Sequence, residues 1–243
     1  MSDPRVIFVP GFMQRGETWA AVAGVVGKRY PSACVDFRTH SFEARLGELL
    51  EAAPPGSVPV GYSMGGRLAL HLVVREPERF AGLVTVGSSP GIEDPRERER
   101  RRLADDDRAA WMERSAIEDV VARWERLPVF EGQSEELLER QRPGRLSHDP
   151  RQLAQLLRTA GQGVLPPLVG DLPHLRVPLL ALAGERDEPY VETAEQIRRL
   201  ARSARAAKVP GAGHAAHLEQ PEAVARLVLE FLDEHLGQRV VVD

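Results

Sequence analysis

Ser63 stands in the pentapeptide Gly61-Tyr62-Ser63-Met64-Gly65, a G-x-S-x-G pattern. Apolar Val58-Pro59-Val60 precedes it, and Gly66-Arg67-Leu68-Ala69-Leu70-His71-Leu72-Val73-Val74 follows. Alone the pattern is weak, because glycine and serine are common in ordinary turns. Between a strand and a helix it has a mechanism: the sharp turn strains the serine backbone and lifts the hydroxyl clear of the sheet. The flanking glycines remove the Cβ clashes that would forbid such a turn. A serine hydroxyl still needs a histidine to take its proton and a carboxylate to fix that histidine's tautomer. With such an elbow the chain order should be Ser, then Asp or Glu, then His.

Both partners occur in that order. Val177-Pro178-Leu179-Leu180-Ala181-Leu182-Ala183-Gly184 reads as a buried strand running into Glu185-Arg186-Asp187-Glu188-Pro189. Ala206-Ala207-Lys208-Val209-Pro210 reads as a last short strand, followed by Gly211-Ala212-Gly213-His214. Asp187 and His214 therefore fall just past strand C-termini, where open α/β sheets gather ligands. Glu185 and Glu188 flank Asp187, and acids after a strand often serve only as turn formers or helix caps. Asp187 is preferred because its short side chain lies at loop distance from the strand end, whereas Glu188 abuts Pro189. His217 makes an H-x-x-H pair with His214, but no third cluster of His or Cys accompanies it as a metal site would require. It reads instead as an early helix residue. His71 reads as a packed or half-exposed residue of the helix after the elbow.

The elements that must position these groups alternate. Strands are expected at Val6–Val9, Ala33–Asp36, Val58–Val60 and Leu83–Gly87, with the sheet resuming at Leu179 and Ala206. Helices are expected over Thr18–Lys28, Phe42–Ala52, the segment from the elbow to Val74, Val191–Ala201 and Pro221–His235. Apolar runs alternating with helices imply a mostly parallel, doubly wound α/β sheet. The chain has 243 residues, enough for one large α/β domain with an insertion. Hydrophobic residues make up 42% and charged residues 28%, an ordinary globular balance. A net charge of −4 favours neither nucleic acid nor an anionic membrane. Cys34 is the only cysteine, so no intrachain disulfide can form and a reducing context is expected. Met1-Ser2-Asp3-Pro4-Arg5 lacks a signal-peptide pattern, and the run Val6–Val9 is too short to span a bilayer. A cytoplasmic protein is expected. Nothing in the composition sets an oligomeric state.

From Ser88 to about Pro173 the strand–helix rhythm breaks. The stretch is helical and charged, which suits a helical cap inserted over the strand ends. The expected division is residues 1–88 and 174–243 for the core and 89–173 for the cap. Arg96-Glu97-Arg98-Glu99-Arg100-Arg101-Arg102 and Asp105-Asp106-Asp107-Arg108 lie within it. Such a run is usually a solvated helix laced with ion pairs. The sharper alternative turns one or two arginines inward to clamp a carboxylate. Arg67 falls four residues after Ser63, so both lie on one helix face. Arg145 and Trp124 also belong to the cap, although a cap tryptophan is commonly core. Several arginines over a serine–histidine pair suit a small polycarboxylate better than a neutral ester.

Several motifs in fixed order carry a more specific resemblance. They are Ser89-Pro90-Gly91, Arg98-x-x-Arg101 with Asp105, Trp124-Glu125-x-x-Pro128-Val129-Phe130, Arg145-Leu146 followed by Leu153-Ala154, Gly161-Gln162-Gly163, and Gly211-Ala212-Gly213-His214-Ala215-Ala216-His217-Leu218-Glu219. Together with Gly61 to Arg67, they resemble the 2-succinyl-6-hydroxy-2,4-cyclohexadiene-1-carboxylate synthases of menaquinone biosynthesis, within the α/β-hydrolase superfamily. The likeness covers roughly Val58 to the C-terminus. It implies an α/β-hydrolase fold and elimination of pyruvate from a cyclohexene precursor, with the triad acting as a base rather than an acylated nucleophile. It also implies carboxylate binding by Arg67, Arg101 and Arg145, with Tyr62 and Trp124 lining the pocket and no metal or organic cofactor. The rival reading is a serine ester or thioester hydrolase with the same triad, and a further one is a non-catalytic binder on the same scaffold.

The N-terminal third departs from the pattern. Hydrolases of this type usually carry His-Gly after the first core strand, where this chain has Pro10-Gly11-Phe12. Oxyanion stabilisation uses backbone N–H groups, so Phe12 and Met64 still qualify as its donors. The missing histidine leaves the side-chain support of that loop in question. Phe37-Arg38-Thr39-His40-Ser41 replaces a glycine-rich loop, and no leading antiparallel hairpin is expected before the first parallel strand.

Overall fold

A computed structural model describes residues 6–236. Six strands form one sheet in the order β2-β1-β3-β4-β5-β6, and every neighbouring pair is parallel. They are β1 (Val6–Val9), β2 (Ser32–Cys34), β3 (Val58–Tyr62), β4 (Leu83–Val86), β5 (Leu179–Gly184) and β6 (Ala204–Val209). All residues of β1, β3, β4 and β5 are buried, as expected where helices cover both faces of a parallel sheet. Within β1 the side chains alternate. Ile7 and Val9 join the layer of α2 (Phe42–Ala52), α3 (Met64–Arg75) and α8 (Glu188–Leu200). Val6 and Phe8 join the opposite layer of α1 (Ala20–Val26) and α10 (Pro221–Leu236).

The expected strands and helices are present with shifted ends. The first expected helix begins as a 3-10 turn at Gly16–Trp19 before α1. The second strand stops at Cys34, two residues short of the expected end. There the chain leaves the sheet: the Glu48 carboxylate accepts from the Arg38 and Thr39 backbone N–H groups at 2.9 and 2.7 Å.

Sheet order fixes where a ligand can lie. From β1 the chain steps outward to β2 and then returns to β3 on the other side of β1. The strand order therefore reverses between β1 and β3, and a crevice opens beyond their C-termini. Ser63 follows β3 and Phe12 follows β1, so both stand at that switch point. Between β4 and β5 the chain leaves the sheet through α4 (Pro95–Met112), α5 (Ile117–Glu125), α6 (Glu135–Leu146) and α7 (Pro150–Ala160). Two of these helices start the same way: the Asp94 and Asp149 side chains accept from the first free backbone N–H groups, and Pro95 and Pro150 occupy N1. The short helix α9 (Ala216–Glu219) precedes α10.

One steric constraint shapes the elbow. A Cβ on Gly65 would sit on the carbonyl oxygens of Val9 and Pro10, so α3 can press against the end of β1 only with glycine there. The obstacle is backbone and cannot rotate away. Gly65→Val is therefore expected to destabilise the chain by roughly 3 kcal/mol or prevent folding altogether. Urea denaturation followed by circular dichroism checks this, and a midpoint equal to wild type would show that the contact is not limiting.

Candidate active site

The tight packing leaves Ser63 at φ 48°, ψ −113°, a backbone conformation costly for a residue with a side chain. Two backbone contacts hold it there. Ser63 N–H donates to the Val86 carbonyl at 2.9 Å, and Ser88 Oγ donates to the Ser63 carbonyl at 3.0 Å. Its Oγ lies 3.4 Å from His214 Nε2, a long contact of the kind that tightens when a substrate is bound. On the other side of the imidazole, His214 Nδ1 and Asp187 Oδ2 are 2.7 Å apart. Asp187 and His214 are both buried, and Asp187 lies at the N-cap of α8 just past β5.

The neighbouring acids do other work. Glu185 Oε2 accepts from the Gly211 N–H at 2.8 Å and ties the β5 loop to the β6 loop. Glu188 is exposed in the first turn of α8. Glu219 clamps the histidine loop: its carboxylate accepts from the N–H groups of Gly213 at 2.6 Å and Ala215 at 3.2 Å, the residues on either side of His214. Gly184 completes the approach, because a Cβ there would collide with the Gly213 carbonyl.

A cavity of about 330 Å³ opens over Ser63 and His214. Tyr62, Arg67, Arg101, Trp124 and Arg145 all line it, as do Phe12 and Met64. Asp187 stands behind His214. Trp124 fits both of its readings at once, since its ring lies 5.1 Å from Phe12 and 5.7 Å from Phe130 while one part faces the cavity. Met64 opens α3, so its N–H is among the helix donors without an intrahelical acceptor. Among the described residues no protein acceptor takes the Phe12 N–H. The loop after β1 is braced by Gln14, whose Oε1 accepts from the Gly11 N–H at 3.1 Å.

The arginines are oriented from behind. Arg101 Nε donates to both oxygens of buried Asp105 at 3.0 Å, and its Nη1 donates to Gln162 Oε1 at 2.8 Å. Arg145 donates to Glu125 at 3.0 Å and to Gln141 at 2.9 Å. Arg67 has no such partner among the described residues, where its buried Nη1 finds no acceptor. Burial pulls the Arg67 guanidinium down to about 10, which still leaves it cationic at neutral pH. Arg96, Glu97, Glu99, Arg100 and Arg102 of the charged α4 run are exposed and match the solvated reading, with Arg102 paired to Glu99 three residues away.

Several contributors carried no sequence-level assignment. Arg108 lines the cavity and reaches Asp105 at 3.4 Å, although its place in a charge run makes it look like surface. Gln162, inside Gly161-Gln162-Gly163, and Tyr190 also line the cavity, and neither belongs to a pattern that points to chemistry. The spacing of Tyr190 from Asp187, one turn along α8, is the signal that could have found it.

The fold, with its elbow at the switch point, defines a class: the chain belongs to the alpha/beta hydrolase family, whose pattern matches residues 6–227. Within it the chain is similar to the 2-succinyl-6-hydroxy-2,4-cyclohexadiene-1-carboxylate synthases. A provisionally named synthase of this type from Bacillus subtilis (strain 168) is 37% identical over 176 residues, covering 71% of this chain and 64% of that protein. The synthase of Serratia proteamaculans (strain 568) is 29% identical over 246 residues, covering 94% of this chain and 93% of that protein. The structure of MenH from S. aureus superposes with a TM-score of 0.89 at 28% identity, covering 97% of this chain and 96% of that one. No helix among the described residues is long and apolar enough to cross a membrane.

His217 and His71 are the two remaining histidines near the site. His217 lies in α9, stacked 4.4 Å from the Trp19 ring and 4.3 Å from the Tyr62 ring, with neither ring nitrogen partnered. Burial pulls it down to about 3. His71 packs edge-on against Phe42 at 5.1 Å, and burial lowers it to about 4. Folding thus holds both imidazoles neutral where the unfolded chain would protonate them. Their effect is absent above the ordinary value of 6.5, and stability falls as pH drops from there toward the folded values. Between pH 7 and pH 5 the loss from His217 should be roughly 2 kcal/mol. Urea unfolding of wild type and His217→Phe at both pH values checks this, with the variant expected to lose less. Identical losses would exclude His217 as a source of the dependence.

Proposed function

We propose that the chain is a carbon–oxygen lyase that eliminates pyruvate from 2-succinyl-5-enolpyruvyl-6-hydroxy-3-cyclohexene-1-carboxylate in menaquinone biosynthesis. The observation that carries this is the union of a Ser63–His214–Asp187 array with a cavity lined by Arg67, Arg101, Arg108 and Arg145. A neutral ester would leave the buried Arg67 cation unanswered and the remaining N–H groups of the other three unused, whereas a polycarboxylate answers them. The likeness to the synthases supports the choice of this polycarboxylate. The lone Cys34 suits a reducing, cytoplasmic setting.

In this reading His214, held in orientation by Asp187, takes the Ser63 hydroxyl proton. The Ser63 oxygen then removes a carbon-bound ring proton. The released electron pair forms a ring double bond and shifts along the ring, and the C–O bond to the enolpyruvyl group breaks. The group leaves as enolpyruvate, receives a proton from the site and becomes pyruvate. No covalent acyl-enzyme forms. Arginines fix the carboxylates so that the acidic C–H sits against Ser63, and positioning supplies much of the rate. The N–H groups of Phe12 and Met64 face the charge that develops on oxygen. The helices α4 to α7 act as the cap that closes over the substrate.

The test is pyruvate release from freshly made precursor, measured as acceleration over a no-enzyme control. Ser63→Ala should lower the rate by at least about a thousandfold with an unchanged melting temperature. Arg101→Gln should raise KM for the precursor by roughly tenfold or more while sparing turnover of a neutral p-nitrophenyl ester. Full activity in the Ser63 variant would remove this mechanism. Ester turnover without any acceleration of pyruvate release would instead make the chain a hydrolase.

A further inference from the structure

Arg67, Arg101 and Gln162 meet at one end of the cavity, and one more side chain belongs with them. Tyr190 follows Asp187 by three residues in the first turn of α8, so the helix that carries the acid also carries this phenol over the site. The Tyr190 ring lies 4.6 Å from the His214 ring at an interplanar angle of 48°. It lines the cavity together with Gln162, Arg67 and Arg101, and the charges of the two guanidiniums act on its hydroxyl.

The donors and acceptors at this end do not balance. Gln162 Oε1 is taken by Arg101, which leaves the Gln162 side chain only its amide nitrogen, a donor, to offer the other groups lining the cavity. The phenolic proton is then left to be given away. Burial raises the phenol above its ordinary value, so that proton is present at neutral pH. Arg67 Nη1, on another lining residue, also lacks an acceptor among the described residues. Two donors thus face this end of the cavity with no protein oxygen to receive them, the arrangement that an anionic oxygen completes.

We infer that Tyr190 is a specificity-determining residue that touches the substrate, its phenol donating to a carboxylate held by Arg67 and Arg101. This rests on the lyase reading above and extends it to a residue outside the elbow and cap. The alternative is that the ring only packs against His214. Tyr190→Phe separates the two, because it keeps the ring and removes one donor.

The first readout needs no turnover. Titration of the full chain with phthalate, a small aromatic dicarboxylate, is followed by calorimetry. Wild type should bind it, and Tyr190→Phe should bind roughly tenfold more weakly. With the precursor, KM should rise by a similar factor while kcat stays within about twofold and the pH profile is unchanged. Equal phthalate affinity in the two proteins would overturn the inference, and so would wild type that does not bind phthalate. Tyr190→Leu losing kcat while Tyr190→Phe keeps wild-type KM would assign the ring a packing role and also overturn it. Failure of wild type to release pyruvate is seen separately and counts against the lyase reading alone.

Discussion

The site depends on how closely three backbone segments can approach one another. Gly65 lets the start of α3 press on the carbonyls that end β1, and Gly184 lets the histidine loop cross the end of β5. The cost of that compression appears at Ser63, whose φ of 48° persists because Val86 and Ser88 hold its backbone on both sides. If either approach were relaxed, serine and histidine would separate beyond proton-transfer distance. The chemistry of the side chains is thus secondary to a packing problem that only glycine solves.

That dependence explains why so much was legible in the sequence. Glycines at a strand–helix junction are a local signal, and so are apolar runs long enough for buried parallel strands. Ser63, Asp187 and His214 could be placed because each lies in the turn or loop just past a strand C-terminus. The acid could be chosen over Glu185 and Glu188 by its distance from the strand end. What stayed hidden was set by tertiary contact. Nothing local says that Glu185 would hold the Gly211 N–H, or that Glu219 would grip the peptide groups around His214. Gln14 likewise braces the loop after β1, where the missing histidine had left the support unassigned.

The cap shows the same limit for charge. A run of alternating arginine and glutamate reads as a solvated helix, and at Arg102 it is one. At Arg101 the same helix turns a cation inward, because Asp105 one turn later is buried and needs it. Periodicity could show that the two share a face, but not which face meets the strand ends. That was decided by the packing of α4 on α7, which carries Leu153, Leu156 and Leu157 into the core.

The layering of charge then sets the field inside the cavity. Asp105 and Glu125 lie behind Arg101 and Arg145, each bonded to the guanidinium in front of it. Carboxylates placed in the cavity itself would have cancelled the field that an anionic substrate meets. Placed behind, they fix the direction of the guanidiniums and lower the cost of keeping them desolvated. Arg67 has no such support and remains charged at the floor beside Ser63. Of the cations in the cavity it therefore has the most to gain from an incoming carboxylate.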